Sequence, residues 1–150
     1  MTQEEKDLLI KDLCGRLTHG VKCKILETNE VKILGSIQYD GENTLFDFWE
    51  DDQKIQYGHQ LYLSEFKPYL LPISSMNEEQ KREFLSVAGY ETREEDCGRH
   101  TETYYYDMVG HEHNFYPNSD AIDWCDKNHF DYRGLIPMGL VDNATNLNIY

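Results

Sequence analysis

Val31-Lys32-Ile33-Leu34-Gly35-Ser36-Ile37-Gln38-Tyr39-Asp40-Gly41-Glu42-Asn43-Thr44-Leu45-Phe46-Asp47-Phe48-Trp49 is the stretch on which the fold turns. Two runs rich in β-branched and aromatic residues flank Asp40-Gly41, and glycine accepts the positive φ that a tight hairpin turn requires. Along the first run the spacing predicts Val31, Ile33, Gly35 and Ile37 on one face. Immediately upstream, Val21 to Leu26 alternates apolar Val21, Cys23 and Ile25 with Lys22 and Lys24, the pattern of a half-buried strand. Before that, Thr2 and Glu5 form a capping box, and Leu9, Leu13 and Leu17 follow at helical spacing beside Ile10 and Cys14. Gly15 weakens the last turn of this helix and Gly20 marks its exit. Downstream, Asp51-Asp52 turns the chain, Gln60 to Phe66 offers a short fourth strand, and Pro68 and Pro72 are expected to stop the sheet. The expected class is α+β: an N-terminal helix and a small antiparallel sheet of three to four strands, which an SH3-like half-barrel would accommodate.

The second half continues with helices. Ser75-Met76-Asn77-Glu78 reads as a capping box opening a helix through Ala88, with Phe84, Val87 and Ala88 inward and Gly89 as its stop. Thr101 to Met108 is rich in strand formers, and Gly110 is placed to turn it into a hairpin with His113 to Tyr116, a surface loop being the alternative. Asn118 or Ser119 caps a third helix ending near Asn128, with Ile122 and Cys125 inward. The tail holds Phe130, Tyr132, Leu135, Ile136, Met138 and Leu140, too apolar for solvent, and is expected to pack back over the core. With no repeat or low-complexity linker, the expectation is a single domain over 1–150: helix plus sheet over 1–73, then two helices, a hairpin near 101–116 and a packed tail over 74–150.

Acidic residues outnumber basic ones by 28 to 14, a formal charge of −14. Such a surface repels phosphate backbones and anionic lipid, which argues against direct nucleic-acid binding. Three readings of the charge remain: a solvated surface that maintains solubility, a docking surface for a partner with a basic surface, and mimicry of nucleic acid. No segment approaches the roughly 18 apolar residues of a membrane span. The N-terminal residues are polar and acidic where a secretion signal would be basic and then apolar. Cys14, Cys23, Cys97 and Cys125 are irregularly spaced, so reduced thiols in a cytoplasm are expected. Oligomeric state has no signature here.

Four phrases occur together: Lys11-Asp12-Leu13-Cys14 leading to Arg16-Leu17 and Gly20-Val21-Lys22; Phe66-Lys67-Pro68-Tyr69-Leu70; Pro72 with Ser74-Ser75-Met76; and His129-Phe130-Asp131-Tyr132-Arg133-Gly134-Leu135-Ile136. As a set they resemble a group of short proteins from phages, prophages and mobile elements of gut Bacteroidales. The resemblance spans the helix and sheet, the start of the middle helix and the last forty residues, and leaves out about 90–118. Where the group reads Leu-Pro-Tyr-Gly-Val, this chain has Leu17-Thr18-His19-Gly20-Val21. The resemblance implies a setting rather than an activity: an accessory protein of mobile DNA that binds a host protein or traps a small signal molecule in a bacterial cytoplasm.

Candidate chemistry is sparse. Cys97-x-x-His100 with Cys125-x-x-x-His129 offers two thiolates and two imidazoles, the donors tetrahedral zinc prefers, with Cys125 and His129 on one helical face. The plainer reading makes Cys125 a small core residue and leaves Cys97 and His100 in a polar loop. His111-Glu112-His113 points two imidazoles one way but lacks a third ligand at a recognisable spacing. Nucleophile elbow, phosphate loop, dinucleotide glycines and H-E-x-x-H are all absent, and Cys14 and Cys23 fall on faces expected to be buried. A non-enzymatic module is therefore expected. Arg133 is read as pinning the tail through Asp131 or Asp123, or as a ligand anchor. Tyr104, Tyr105 and Tyr106 are candidate partner-binding residues, tyrosine being enriched at interfaces. Sequestration of an anionic ligand such as a nucleotide would need Lys22, Lys24, Lys32 and Arg133 to converge.

Overall fold

A computed structural model describes residues 1–50, 60–96, 101–107 and 118–150, with 91–96 and 101–107 as backbone only. The Asp51-Asp52 turn, Met108, Gly110 and the strand proposed over 113–116 lie outside the described residues. The class is α+β, and the described chain forms two compact units, Met1–Ser75 with Asp126–Tyr150, and Met76–Cys125.

In the larger unit, α1 (Gln3–Arg16) starts at the expected capping box: Glu5 N–H donates to Thr2 Oγ1 at 3.2 Å, and Thr2 N–H to Glu5 Oε2 at 2.6 Å. Its buried stripe is Leu9, Asp12, Leu13 and Arg16, so two charged residues join the apolar face, and Leu17 packs half-buried against the same core. Cys14 is exposed, correcting the expectation, while Cys23 is fully buried.

The sheet runs through β1 (Lys22–Ile25), β2 (Val31–Tyr39), β3 (Thr44–Trp49) and β4 (Phe66–Pro72). The two-residue strands β7 (Phe130–Asp131) and β8 (Asp142–Asn143) complete six strands. The Asp40-Gly41 hairpin forms as expected, Asp40 Oδ1 accepting the amides of Glu42 and Asn43 at 2.9 and 2.7 Å. The order is β3-β2-β1-β4, all antiparallel, and β4 adds β7 and β8 in parallel. The sheet is therefore mixed and larger than expected.

Two expectations on strand boundaries are corrected. The fourth strand is β4, not residues 60–66, which supply a single bridge between Phe46 and Leu61. Pro68 and Pro72 lie inside β4: Pro68 stands where the β1 ladder gives way to β8, and Pro72 is the last residue, positions at which no missing donor is felt.

A bulge between Leu34 and Ser36 shifts the register of β2 on β3. It reverses which parity faces inward, so Leu34, opposite Phe48, and Ile37, opposite Phe46, both reach the core. The expected face with Val31, Ile33 and Gly35 is thus replaced by Leu34. Gly35 is required by contact: a Cβ there would stand 2.7 Å from the Trp49 indole nitrogen. The core joins Leu9 and Leu13 of α1 to Val21, Cys23, Ile25, Leu34, Phe46, Phe48, Phe66 and Leu70. Phe66 packs edge-on against Phe46 and Phe48, with centroids 5.0 and 4.9 Å apart. Leu135, Leu140 and Val141 join this core as the packed tail predicted, but Met138 is exposed.

In the smaller unit, α2 (Glu78–Val87) is capped by Asn77 with Gln80 rather than by Ser75 with Glu78. Phe84 and Ala88 are buried and Val87 is half-buried. The strand over 101–107, β6 (Thr101–Asp107), pairs antiparallel with β5 (Tyr90–Asp96). The partner expected at 113–116 lies outside the described residues, and β5, too charged to read as a strand by its side chains, is carried by backbone pairing. The third helix, α3 (Ser119–Lys127), begins at Asn118, whose Oδ1 accepts Ala121 N–H at 2.8 Å.

Candidate functional site

The most organised polar assembly among the described residues lies inside the larger unit. Arg16, fully buried on α1, donates from Nε to Asp12 Oδ2 at 2.7 Å and from Nη2 to the Phe130 carbonyl at 2.8 Å. Nη2 also lies 3.3 Å from Asp126 Oδ1. Asp12 receives a second arginine, Arg133, whose Nε donates to Oδ1 at 3.2 Å. The Tyr132 ring centroid lies 4.6 Å from the Arg133 guanidinium carbon and 5.6 Å from that of Arg16. Gly15 admits this arrangement, since a Cβ there would stand 2.5 Å from Asp126 Oδ2.

Two guanidinium groups and two carboxylates make the assembly neutral. Burial alone would push the Arg16 pKa down, but Asp12 and Asp126 outweigh it, so the pKa is raised and the residue stays charged. Burial, reinforced by Asp126, pushes the Tyr132 hydroxyl up to about 12, leaving a neutral phenol near pH 7. The contacts of the assembly tie α1 to the Phe130 carbonyl and to Arg133 in the tail. One further carboxylate, buried Asp131, accepts the amides of Leu135 and Ile136, both at 2.8 Å, and closes the loop carrying Arg133.

The residues singled out from sequence are mostly dispersed. Arg133 pairs with Asp12, 121 positions upstream, and not with Asp131 or Asp123. A partner so distant leaves no local trace in the sequence. Cys97, His100 and His111-Glu112-His113 lie outside the described residues. Cys125 is buried in α3 of the smaller unit, whereas His129 lies beyond the helix end at Lys127, at φ +59°. The helical spacing assumed for that pair is thus broken. Among the described residues no group of three or more His, Cys, Asp or Glu side chains is placed to hold a metal.

Tyr104, Tyr105 and Tyr106 stand in β6 opposite Arg93, Thr92 and Glu91. The cations proposed for an anion site do not converge. Cross-strand partners share a face, so Lys32, opposite Cys23, lies across the sheet from Lys22 and Lys24. Lys32 pairs with Glu30 at 3.5 Å and Lys22 Nζ donates to the Ile149 carbonyl.

Sequence reasoning missed Asp12, Arg16 and Asp126 as a unit. Asp12 and Arg16 at i and i+4, in the same stripe as Leu9 and Leu13, were the available signal.

Among the described residues no helix is long and apolar enough to cross a membrane. In comparisons with protein-family models, curated proteins and solved structures, nothing matches the chain. Fold and site together define an α+β protein built around a neutral buried ion cluster.

Proposed function

We propose that the protein is a non-enzymatic binding module that docks a partner protein through basic groups on the partner's surface. The observation that carries this reading is the gathering of acids at one end of the sheet. The β1–β2 connection, the end of β3 and the approach to β4 meet there, and exposed Glu27, Glu30, Glu50 and Glu65 come from those segments. Leu26 N–H donates to the Glu65 carbonyl at 2.9 Å, which ties two of the segments together. Beside them, a groove of about 360 Å³ is lined by Ile25, Leu26, Glu27, Leu61, Ser64 and Glu65. A lysine or arginine matches this lining, its stem on Leu26 and its charged head between carboxylates. The resemblance to phage and mobile-element proteins makes a host protein the natural partner.

Capture from host lysate at low and moderate salt, with a Glu27→Lys/Glu65→Lys variant beside the wild type, tests the proposal. A stoichiometric partner is expected that salt weakens and the double variant loses. A partner retained equally by the charge-reversed variant, or none at low salt, overturns it.

A further inference from the structure

β2 outruns the strand beside it. Its last rung on the β1 side is the Leu34 N–H, which donates to the Val21 carbonyl at 3.0 Å. Upstream of Val21 the chain leaves the sheet at Gly20, whose φ of +71° suits glycine, and enters the turn Leu17–His19. β2 itself continues to Tyr39, and beyond Leu34 it is paired only with β3.

The direction of its remaining backbone groups follows from β3. Phe46 donates its N–H to the Leu61 carbonyl and accepts the Leu61 N–H, both at 2.9 Å, so its backbone groups face away from β2. Ile37, directly opposite Phe46, must then turn its own N–H and C=O away from β3, and Tyr39, two residues on, does the same. Among the described residues no backbone group meets them. Two donors and two acceptors therefore stand at strand spacing along one open edge. Gln38 is exposed, Tyr39 is 71% exposed, and neither a proline nor a lysine blocks residues 35–39. Toward Leu34 the edge runs into a groove of about 630 Å³, whose lining includes Leu17, Gly20, Ile33, Gly35 and Trp49.

We infer that residues 36–39 of β2 are a docking edge for an extended segment of a partner protein, which adds a strand in line with β1. The unpaired groups specify this occupant, because an extended backbone presents C=O and N–H at the matching repeat. An apolar side chain at the end of the segment nearest Leu34 matches the groove, which no carboxylate lines. Gly20 is what opens the edge: by turning the chain out of the sheet it stops β1 before β2 is covered. The site lies at the opposite end of β2 from Glu27 and Glu30, and stands independently of the acidic docking surface.

The test uses the full chain. In the free protein the Ile37 and Tyr39 amides are expected to exchange with solvent at least tenfold faster than that of Gln38, whose N–H faces β3. The docking probe is a capped Thr-Val-Thr-Val-Thr-Val peptide, followed by NMR. It should shift the Ile37 and Tyr39 amides and the Trp49 indole saturably. Tyr39→Pro removes one outward donor without touching the β3 ladder and should weaken this binding at least tenfold. The same peptide N-methylated at every residue keeps its side chains but has no donor, and should not bind the wild type. That arm decides the matter if Tyr39→Pro does not fold. Slow exchange of Ile37 and Tyr39 in the free protein would mean that the chain covers its own edge, and shifts at these amides that grow with protein concentration alone would make a second copy the occupant. Either result overturns the inference, as does a peptide that leaves these amides unmoved, or one that binds a folded Tyr39→Pro variant or binds after N-methylation as tightly as before.

Discussion

Replacing Arg16 with methionine is the most direct trial of the buried ion cluster. The change keeps much of the aliphatic volume on α1 but removes the donor to Asp12, the contact to Asp126 and the bond to the Phe130 carbonyl. Asp12 would keep only the Arg133 Nε bond, and Asp126 would lose its guanidinium. Breaking a buried pair by removing one partner costs about 3–5 kcal/mol, because a charge is left uncompensated. With a urea slope of about 2 kcal/mol/M, the midpoint should fall by roughly 2 M. Urea titration read by Trp49 fluorescence in a Trp124→Phe background reports the larger unit. The pH dependence separates this cause from lost packing. Removing one cation from a buried cluster of charges penalises the ionised carboxylate form in the folded state. The native state then binds protons more readily, so the deficit must shrink as pH falls from 7 toward 4. A deficit below about 1 kcal/mol at pH 7, or one that does not change with pH, would refute the reasoning.

Three other outcomes are expected. Burial and the neighbouring cations Arg16, His19 and Lys22 push the His129 pKa down from 6.5 to about 4. Because the folded value lies below the unfolded one, stability is complete above pH 6.5 and falls by up to about 3 kcal/mol as pH drops to 4. Urea midpoints at pH 7, 5.5 and 4.5 should show this fall, and His129→Gln should flatten it. Gly35→Ala brings a Cβ within 2.7 Å of Trp49 and should cost about 1–3 kcal/mol, partly recovered by adding Trp49→Leu, as thermal unfolding of the two variants would show. Asn77→Ala removes the oxygen that accepts Gln80 N–H at 2.8 Å and should destabilise the smaller unit by about 1 kcal/mol, seen as faster amide exchange across α2.

Features set by short-range chemistry were legible in the sequence. The capping box at Thr2, the Asp40-Gly41 turn and the alternation of Val21, Cys23 and Ile25 each follow from a few neighbouring residues, and each stands in the structure. Features set by distant pairing were not. Nothing near Phe130 or Asp142 signals that two-residue strands will add to β4, because the pairing is backbone to backbone. The bulge at Gly35 inverted the inward face of β2 after Leu34, and period-two counting cannot register an extra residue. The ion cluster was invisible for a related reason. Aspartate and arginine in a helix read as its solvated face, and only Asp126 and Arg133, more than a hundred positions away, make their burial tolerable.

That distance is the organising fact of the larger unit. Its chain is interrupted between Ser75 and Asp126 by the smaller unit, so residues 126–150 must be recruited back by contacts that continuity does not supply. Hydrophobic burial recruits them without choosing a register, since Leu135, Leu140 and Val141 gain by packing on almost any apolar face. The directional contacts do the choosing. Arg16 reaches the Phe130 carbonyl, Arg133 reaches Asp12, and Leu71 N–H meets the His129 carbonyl at 2.8 Å. Each fails if the returning segment slips by one residue. Buried charge is a poor source of net stability beside well-packed apolar side chains. What it supplies here is selection of one register for a segment that returns after fifty intervening residues. This accounts for Arg16 occupying a core position that leucine would fill with less desolvation.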